Sequence, residues 1–252
     1  MKVSDEMNKY KTLEELKQAV VKIIKEDKWH RSARTGDGVQ GNILEDLLGI
    51  PENNRRGPDV QLGDGTMCEI KSSKTKGTAI TMAGLKPKYH IPQREQIERY
   101  GIRKEGGPKR FSSTFKVGHV NPRGLETSIK DDFVIISDAN SKEDIMSWPI
   151  QDIINKLASK CGNVVYTKAD RRTAEDGKEE YNYRASDFYS GFSPKSARKL
   201  LEEGKIIIET RSKIKDNGSI RDHGTVFRVG RKNLPDLYAE VDAFISSALK
   251  KK

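Results

Sequence analysis

Leu13, Leu16, Val20, Ile23 and Ile24 recur at helical spacing behind Thr12-Leu13-Glu14-Glu15, which reads as a capping box. A polar loop from Arg31 to Gly38 leads to a second helix around Gly41 to Leu48, which Gly49 and Pro51 end. Residues 58–72 read as a β-hairpin. Residues 85–110 are basic, rich in Gly and Pro and without a clean period; they predict a long surface excursion with a short helix near Pro92 to Tyr100. Phe133 to Ser137 is a continuous apolar run and predicts a buried strand. Ile150, Ile153, Ile154 and Leu157 form one helical face, and Val164 to Thr167 predicts another strand. Asp176-Gly177 turns into a polar strand at Tyr181 to Tyr183. Ser193-Pro194 starts a helix that Gly204 stops. Ile206 to Lys215 and Ile220 to Val229 flank Asn217-Gly218, a strong hairpin signal. Leu237, Val241, Phe244, Ile245, Ala248 and Leu249 predict an amphipathic C-terminal helix whose closing lysines suit the helix dipole.

The pattern sums to a mixed α/β domain over residues 1–252 with helices at both ends. No linker composition marks a second lobe. Lys plus Arg number 47 against 37 Asp plus Glu, so the formal charge is 47 − 37 = +10, which points to a polyanionic partner. No apolar run approaches the length of a bilayer span, and no leader with a small-residue cleavage site is visible, so a cytoplasmic location is expected. Two cysteines, Cys68 and Cys161, are too few for a disulfide framework or a thiolate zinc site.

The chemistry concentrates in Pro58-Asp59-Val60-Gln61-Leu62-Gly63-Asp64-Gly65-Thr66-Met67-Cys68-Glu69-Ile70-Lys71. On the second strand Met67, Glu69 and Lys71 share one face, above an apolar underside of Cys68 and Ile70. Asp59 and Glu69 would supply hard oxygen ligands to Mg²⁺, and Lys71 would orient a water or stabilise transition-state charge. A two-residue Asp64-Gly65 turn would pair Val60 with Glu69 and turn Asp59 away. A three-residue loop of Gly63, Asp64 and Gly65 pairs Asp59 with Glu69, which the chemistry requires. Glu45 on the preceding helix is a candidate further ligand or orienter.

Two-residue geometry at Asn217-Gly218 would place Glu209, Arg211, Lys213, Asp222 and Arg228 on one face, with Lys213 opposite Asp222. Arg and Lys can read guanine, and Asp or Glu can accept from cytosine, when such a ribbon enters a major groove. His223 stands beside that face, next to Gly224. Arg34, ahead of the acidic hairpin, is a candidate DNA contact, and Lys74 and the other cations after that hairpin are candidates for phosphate contact.

Pro58-Asp59 with Glu69-Ile70-Lys71 resembles the PD-(D/E)xK nuclease core. RTGDGVQGNILEDLLGIPENN (34–54), PDVQLGDGTMCEIK, LKP (85–87) and RDHGTVFRV (221–229) resemble the MvaI/BcnI type II restriction endonucleases, in the MutH-like branch. The resemblance implies a restriction-endonuclease-like α/β fold, a mixed sheet flanked by helices, with two lobes around a DNA cleft. A catalytic lobe would span about 1–165 and a recognition-rich lobe about 166–235. It implies a largely monomeric enzyme that hydrolyses double-stranded DNA at a short site with Mg²⁺, Mn²⁺ substituting. Asp59, Glu69 and Lys71 would be catalytic, with Glu45 matching a helix glutamate. Arg211, Asp222, His223 and Arg228 would read bases. Defence against foreign DNA, and a cognate DNA methyltransferase as functional counterpart, follow from the same resemblance. The alternatives are a MutH-like strand-nicking repair enzyme and a sequence-specific DNA-binding protein without catalysis.

Overall fold

The computed structural model describes residues 9–31, 38–51, 57–75, 79–103 and 105–246. In chain order the elements are α1 (Leu13–Glu26), β1 (His30–Arg31), α2 (Val39–Leu48), β2 (Val60–Gln61), β3 (Met67–Lys74), β4 (Ala79–Gly84), β5 (Lys88–Tyr89) and α3 (Gln93–Tyr100). They continue with β6 (Ile102–Arg103), β7 (Lys109–Phe115), β8 (Leu125–Lys130), β9 (Phe133–Asp138), β10 (Asp144–Pro149), α4 (Ile150–Cys161), β11 (Val164–Thr173) and β12 (Glu179–Phe192). The last are α5 (Pro194–Glu202), β13 (Ile206–Ile214), β14 (Ile220–Gly230) and β15 (Tyr238–Ile245).

The chain divides into two compact units that interleave in sequence. One comprises residues 1–80, 159–192 and 238–252; the other comprises 81–158 and 193–237. The contiguous lobes expected at about 1–165 and 166–235 differ from these units, because strands far apart in sequence pair within each.

The first unit is built on a mixed sheet in the order β1-β12-β11-β3-β2, with β15 also paired to β12. β3 and β11 run parallel, while β2, β12, β1 and β15 are antiparallel to their neighbours. Thr12 caps α1 by accepting from Glu15 N at 3.3 Å. α1 buries Leu16, Val20 and Ile24, and α2 buries Ile43, Leu44 and Leu48, in one core with Cys68, Ile70, Val165 and Tyr183 of the sheet. Burying side chains of this size is worth about 1.5–3 kcal/mol each, which fixes both helices to one sheet face.

Among the described residues the expected C-terminal helix is not formed. Residues Tyr238–Ile245 are the strand β15, paired antiparallel to β12 from Phe192↔Tyr238 to Ala185↔Ile245. Tyr, Val, Phe and Ile suit a strand, and the 14-residue β12 offers a long unpaired edge whose ladder outweighs the weak helical period. Residues 247–252, including Ala248 and Leu249, lie outside the described residues.

The second unit holds a four-stranded sheet, β5-β10-β9-β8, and a five-stranded sheet, β4-β14-β13-β7-β6. Trp148 and Phe227 meet edge to face at 6.0 Å in its core. The stretch expected to be a surface excursion carries the expected helix as α3, but buries Ile91, Gln96 and Ile97. Strand β7 alternates strictly, with Phe111, Ser113 and Phe115 buried and Arg110, Ser112 and Thr114 exposed. One face of this sheet is therefore dry and the other polar.

Candidate active site and nucleic-acid face

The acidic hairpin adopts the register that the chemistry requires. Val60 pairs with Cys68 and Gln61 with Met67. Leu62 N donates to Thr66 O at 2.8 Å, and Gly65 N donates to Leu62 O at 3.0 Å. The loop is Gly63, Asp64 and Gly65, and Gly65 has φ +84°, the left-handed position that a three-residue loop assigns to glycine. One further step of the register sets Asp59 opposite Glu69. Asp59 Oδ2 accepts from Ile70 N at 2.8 Å, which ties its carboxylate to the strand that carries Glu69. Cys68 and Ile70 enter the core under the sheet, so Glu69 and Lys71 occupy the opposite face.

Parallel pairing then brings in a residue that sequence reasoning missed. Val164 of β11 lies beside Glu69, and Tyr166 lies beside Lys71. Glu69 N donates to Asn163 O at 2.9 Å, and Asn163 Nδ2 donates to Met67 O at 3.0 Å. The last turn of α4 therefore ends at the site, and Lys160 Nζ lies 3.3 Å from Glu69 Oε1. Lys71 Nζ donates to the same oxygen. A helix followed directly by a strand at Val164 was visible in the sequence; its parallel pairing with β3 was not.

Glu69 is 1% exposed, and its Oε2 is buried without a hydrogen-bond partner among the described residues. Burial pushes its carboxyl above the ordinary glutamate value; Lys71 and Lys160 oppose this, while the Asp59 charge adds to it. Burial would lower the Lys71 ammonium, but the charge and hydrogen bond of Glu69 outweigh it and hold its pKa above the ordinary lysine value. An unpartnered buried carboxylate oxygen next to a second carboxylate is a fit for a divalent cation. Among the described residues no group of three or more His, Cys, Asp and Glu side chains is placed to hold a metal. Two carboxylates with the remaining positions left to water and phosphate is the coordination Mg²⁺ favours.

Glu45 is half-buried on α2, and its charge acts on Tyr183, whose hydroxyl donates to Gln40 O at 2.7 Å. Lys74 is exposed at the end of β3, and its charge acts on Glu179. Arg34 lies outside the described residues.

The second hairpin follows the expected register only in its lower half, where Ile206↔Val229, Ile207↔Arg228, Ile208↔Phe227 and Glu209↔Val226 are paired. Glu209 Oε1 accepts from Arg211 Nε at 2.6 Å, and Oε2 accepts from Arg228 Nη1 at 2.6 Å. Burial alone would raise the Glu209 carboxyl, but the bonds from Arg228 and Arg211 outweigh it and hold its pKa below the ordinary value. Glu209 thus sets two guanidinium groups side by side on the polar face.

Nearer the turn the expected register fails. Ser212 pairs with Asp222, Lys213 with Arg221 and Ile214 with Ile220. Lys215 N donates to Ser219 O at 2.8 Å, so the loop is Asp216, Asn217 and Gly218 rather than two residues. A bulge between Thr210 and Ser212 restores the register below it, with His223 and Gly224 set against Arg211 and Gly224 at φ +80°. Asp222 therefore leaves the face of Arg211 and Lys213. Its Oδ2 accepts from Tyr89 Oη at 3.2 Å and from Gln93 Nε2 at 2.7 Å, and its Oδ1 accepts from Gly224 N at 2.7 Å. His223 is exposed beside the bulge.

A family model of the MvaI/BcnI restriction endonucleases matches residues 18–238. Among solved structures, the chain is similar to restriction endonuclease MvaI in complex with cognate DNA substrate, at 23% identity, a TM-score of 0.73 and coverage of 90% of this chain and 96% of that one. It is also similar to MvaI in the absence of DNA, at 22% identity, a TM-score of 0.50 and coverage of 95% and 99%. Among curated proteins none matches. The mixed α/β fold is shared with these enzymes. Among the described residues, no helix is long and apolar enough to cross a membrane.

Proposed function

The chain belongs to the MvaI/BcnI restriction endonuclease family, and we propose from this premise that it hydrolyses phosphodiester bonds of double-stranded DNA at a short specific site with Mg²⁺, as a defence against foreign DNA. The observation that carries the reading is the buried, unpartnered Glu69 Oε2 beside Asp59 and two ammonium groups. Asp59 and Glu69 would hold the ion, with Mn²⁺ as a substitute and Glu45 as a further ligand or orienter. A bound Mg²⁺ supplies Lewis acidity toward the scissile phosphate and activates a water. Lys71, held protonated by Glu69, serves as a cation rather than as a base: it orients the attacking water and stabilises charge developing on the phosphate. Asp59 is kept in place by the Ile70 amide, so the carboxylate pair is pre-organised.

DNA recognition falls to the polar face of the β13–β14 ribbon. Arg211 and Arg228 would read guanine, pre-aligned by Glu209; His223 beside the bulge approaches the same groove. Asp222 would act from the α3 side of the ribbon, together with Gln93. Lys74 and Arg34 would contact phosphate. The resemblance further supports a monomer that acts on each strand in turn, located in the cytoplasm, whose host carries a cognate methyltransferase.

Digestion of a DNA of known sequence in Mg²⁺, followed by sequencing of the new ends, tests this. A double-strand break at one recurring short site is expected. Nicks confined to one strand would favour a MutH-like repair enzyme. Site-specific binding without cleavage in Mg²⁺ or Mn²⁺ would leave a DNA-binding protein.

A further inference from the structure

The bulge in the second hairpin has an electrostatic result. In an unbroken two-residue register Lys213 would face Asp222 and form a cross-strand ion pair. The three-residue loop instead sets Lys213 opposite Arg221 on β14, while β7 sets Arg110 opposite Lys213 on its other side. Three cations therefore stand in one row across three adjacent strands. Strand spacing of about 4.8 Å makes the row about 10 Å long. Among the described residues none of the three forms an ion pair with a carboxylate. Arg110 and Arg221 are exposed, and Lys213 is half-exposed.

Both acids carried by β13 and β14 are committed elsewhere. Both oxygens of Glu209 are taken by Arg211 and Arg228. Asp222 is held by Tyr89, Gln93 and the Gly224 amide. Like charges directly opposite each other on neighbouring strands destabilise a sheet. The fold thus carries a repulsive row that a polyanion would relieve. Consecutive phosphates of one DNA strand rise about 3.4 Å along the helix axis but lie about 7 Å apart through space, so long side chains from a row of about 10 Å reach two to three of them.

We propose that Arg110, Lys213 and Arg221 form a phosphate clamp that seats one strand of duplex DNA against the ribbon, leaving base reading to Arg211 and Arg228. The clamp rests on the nuclease reading only for the identity of the polyanion. It moves Lys213 from base reading to phosphate contact and adds Arg110 and Arg221, which no motif marked.

The test is the salt dependence of binding for the full-length protein without divalent ion, between 50 and 200 mM KCl. Wild type, Arg110→Gln, Lys213→Gln and Arg221→Gln are each measured on a duplex containing the cleavage site and on a random duplex. Each substitution is expected to lower the slope of log affinity against log salt by about 0.9, equally on both duplexes. Thermal midpoints without DNA are expected to hold or rise, because a like charge has been removed. Unchanged slopes, losses confined to the cognate duplex, or a fall in thermal midpoint would overturn the clamp. Wild type that binds DNA with the full slope but never cleaves would contradict the nuclease reading while the slopes still score the clamp. Wild type that binds neither duplex would overturn both.

Discussion

Glu69 and Glu209 are both buried glutamates in mid-strand, each flanked by two cations, yet they end in opposite states. Lys71 and Lys160 crowd one oxygen of Glu69 and leave the other buried and unpartnered, so burial prevails and its carboxyl is pushed up. Arg228 and Arg211 take one oxygen of Glu209 each, so hydrogen bonding prevails and its carboxyl is pushed down. The difference lies in the donors and their direction. Guanidinium forks from the same ribbon reach both oxygens, whereas two ammonium groups converge on one. A saturated carboxylate orients its partners; a half-satisfied one has capacity left for a cation.

The largest effect should come from Glu69. Glu69→Gln is expected to reduce cleavage by about 10²–10³-fold or more while leaving DNA affinity nearly intact. Mg²⁺ should raise the thermal midpoint of wild type and of Glu209→Gln, but not of Glu69→Gln, since only binding to the native state stabilises it. An equal Mg²⁺ shift in all three would erase the distinction between the two glutamates.

Arg228→Ala comes next, with an expected loss of about 1–3 kcal/mol on the cognate duplex and much less on random DNA. Equal losses on both would make Arg228 a phosphate contact. Glu209→Gln should destabilise the fold by about 1–2 kcal/mol at neutral pH. Because the folded carboxyl lies below its unfolded value of about 4.3, Glu209 contributes stability above that pH. The contribution is lost as pH falls through the folded value, so wild type and Glu209→Gln should converge in acid unfolding. The smallest effect on activity belongs to Gly65→Ala, whose cost is a loss of stability of about 1–2 kcal/mol from the left-handed backbone alone. A Cβ there meets no atom within 4 Å, so cleavage should persist in the folded fraction.

What was legible in the sequence was local. The spacing of Glu69 and Lys71 put both on one face, but the loop allowed two registers, and Asp59 was placed with them only by what the chemistry requires; the Val60↔Cys68 pairing selects that register. The helices α1 and α2 follow from apolar period and caps. Three features depended on partners distant in the chain. Lys160 reaches Glu69 only because β11 pairs parallel to β3, some 90 positions away in sequence. β15 takes a strand from a weak helical pattern because β12 presents an edge. Asp222 changes face because the turn takes three residues and a bulge absorbs the difference; Gly224 was the visible sign of that bulge.

The central claim is that the face of Asp59, Glu69 and Lys71 performs the cleavage while the ribbon performs the binding. Cleavage and binding of one cognate duplex, measured side by side for wild type and Lys71→Ala in Mg²⁺, test it most directly. The expected result is loss of cleavage by about 10²–10³-fold with affinity within a few-fold of wild type. Cleavage persisting in Lys71→Ala at the wild-type rate would contradict it.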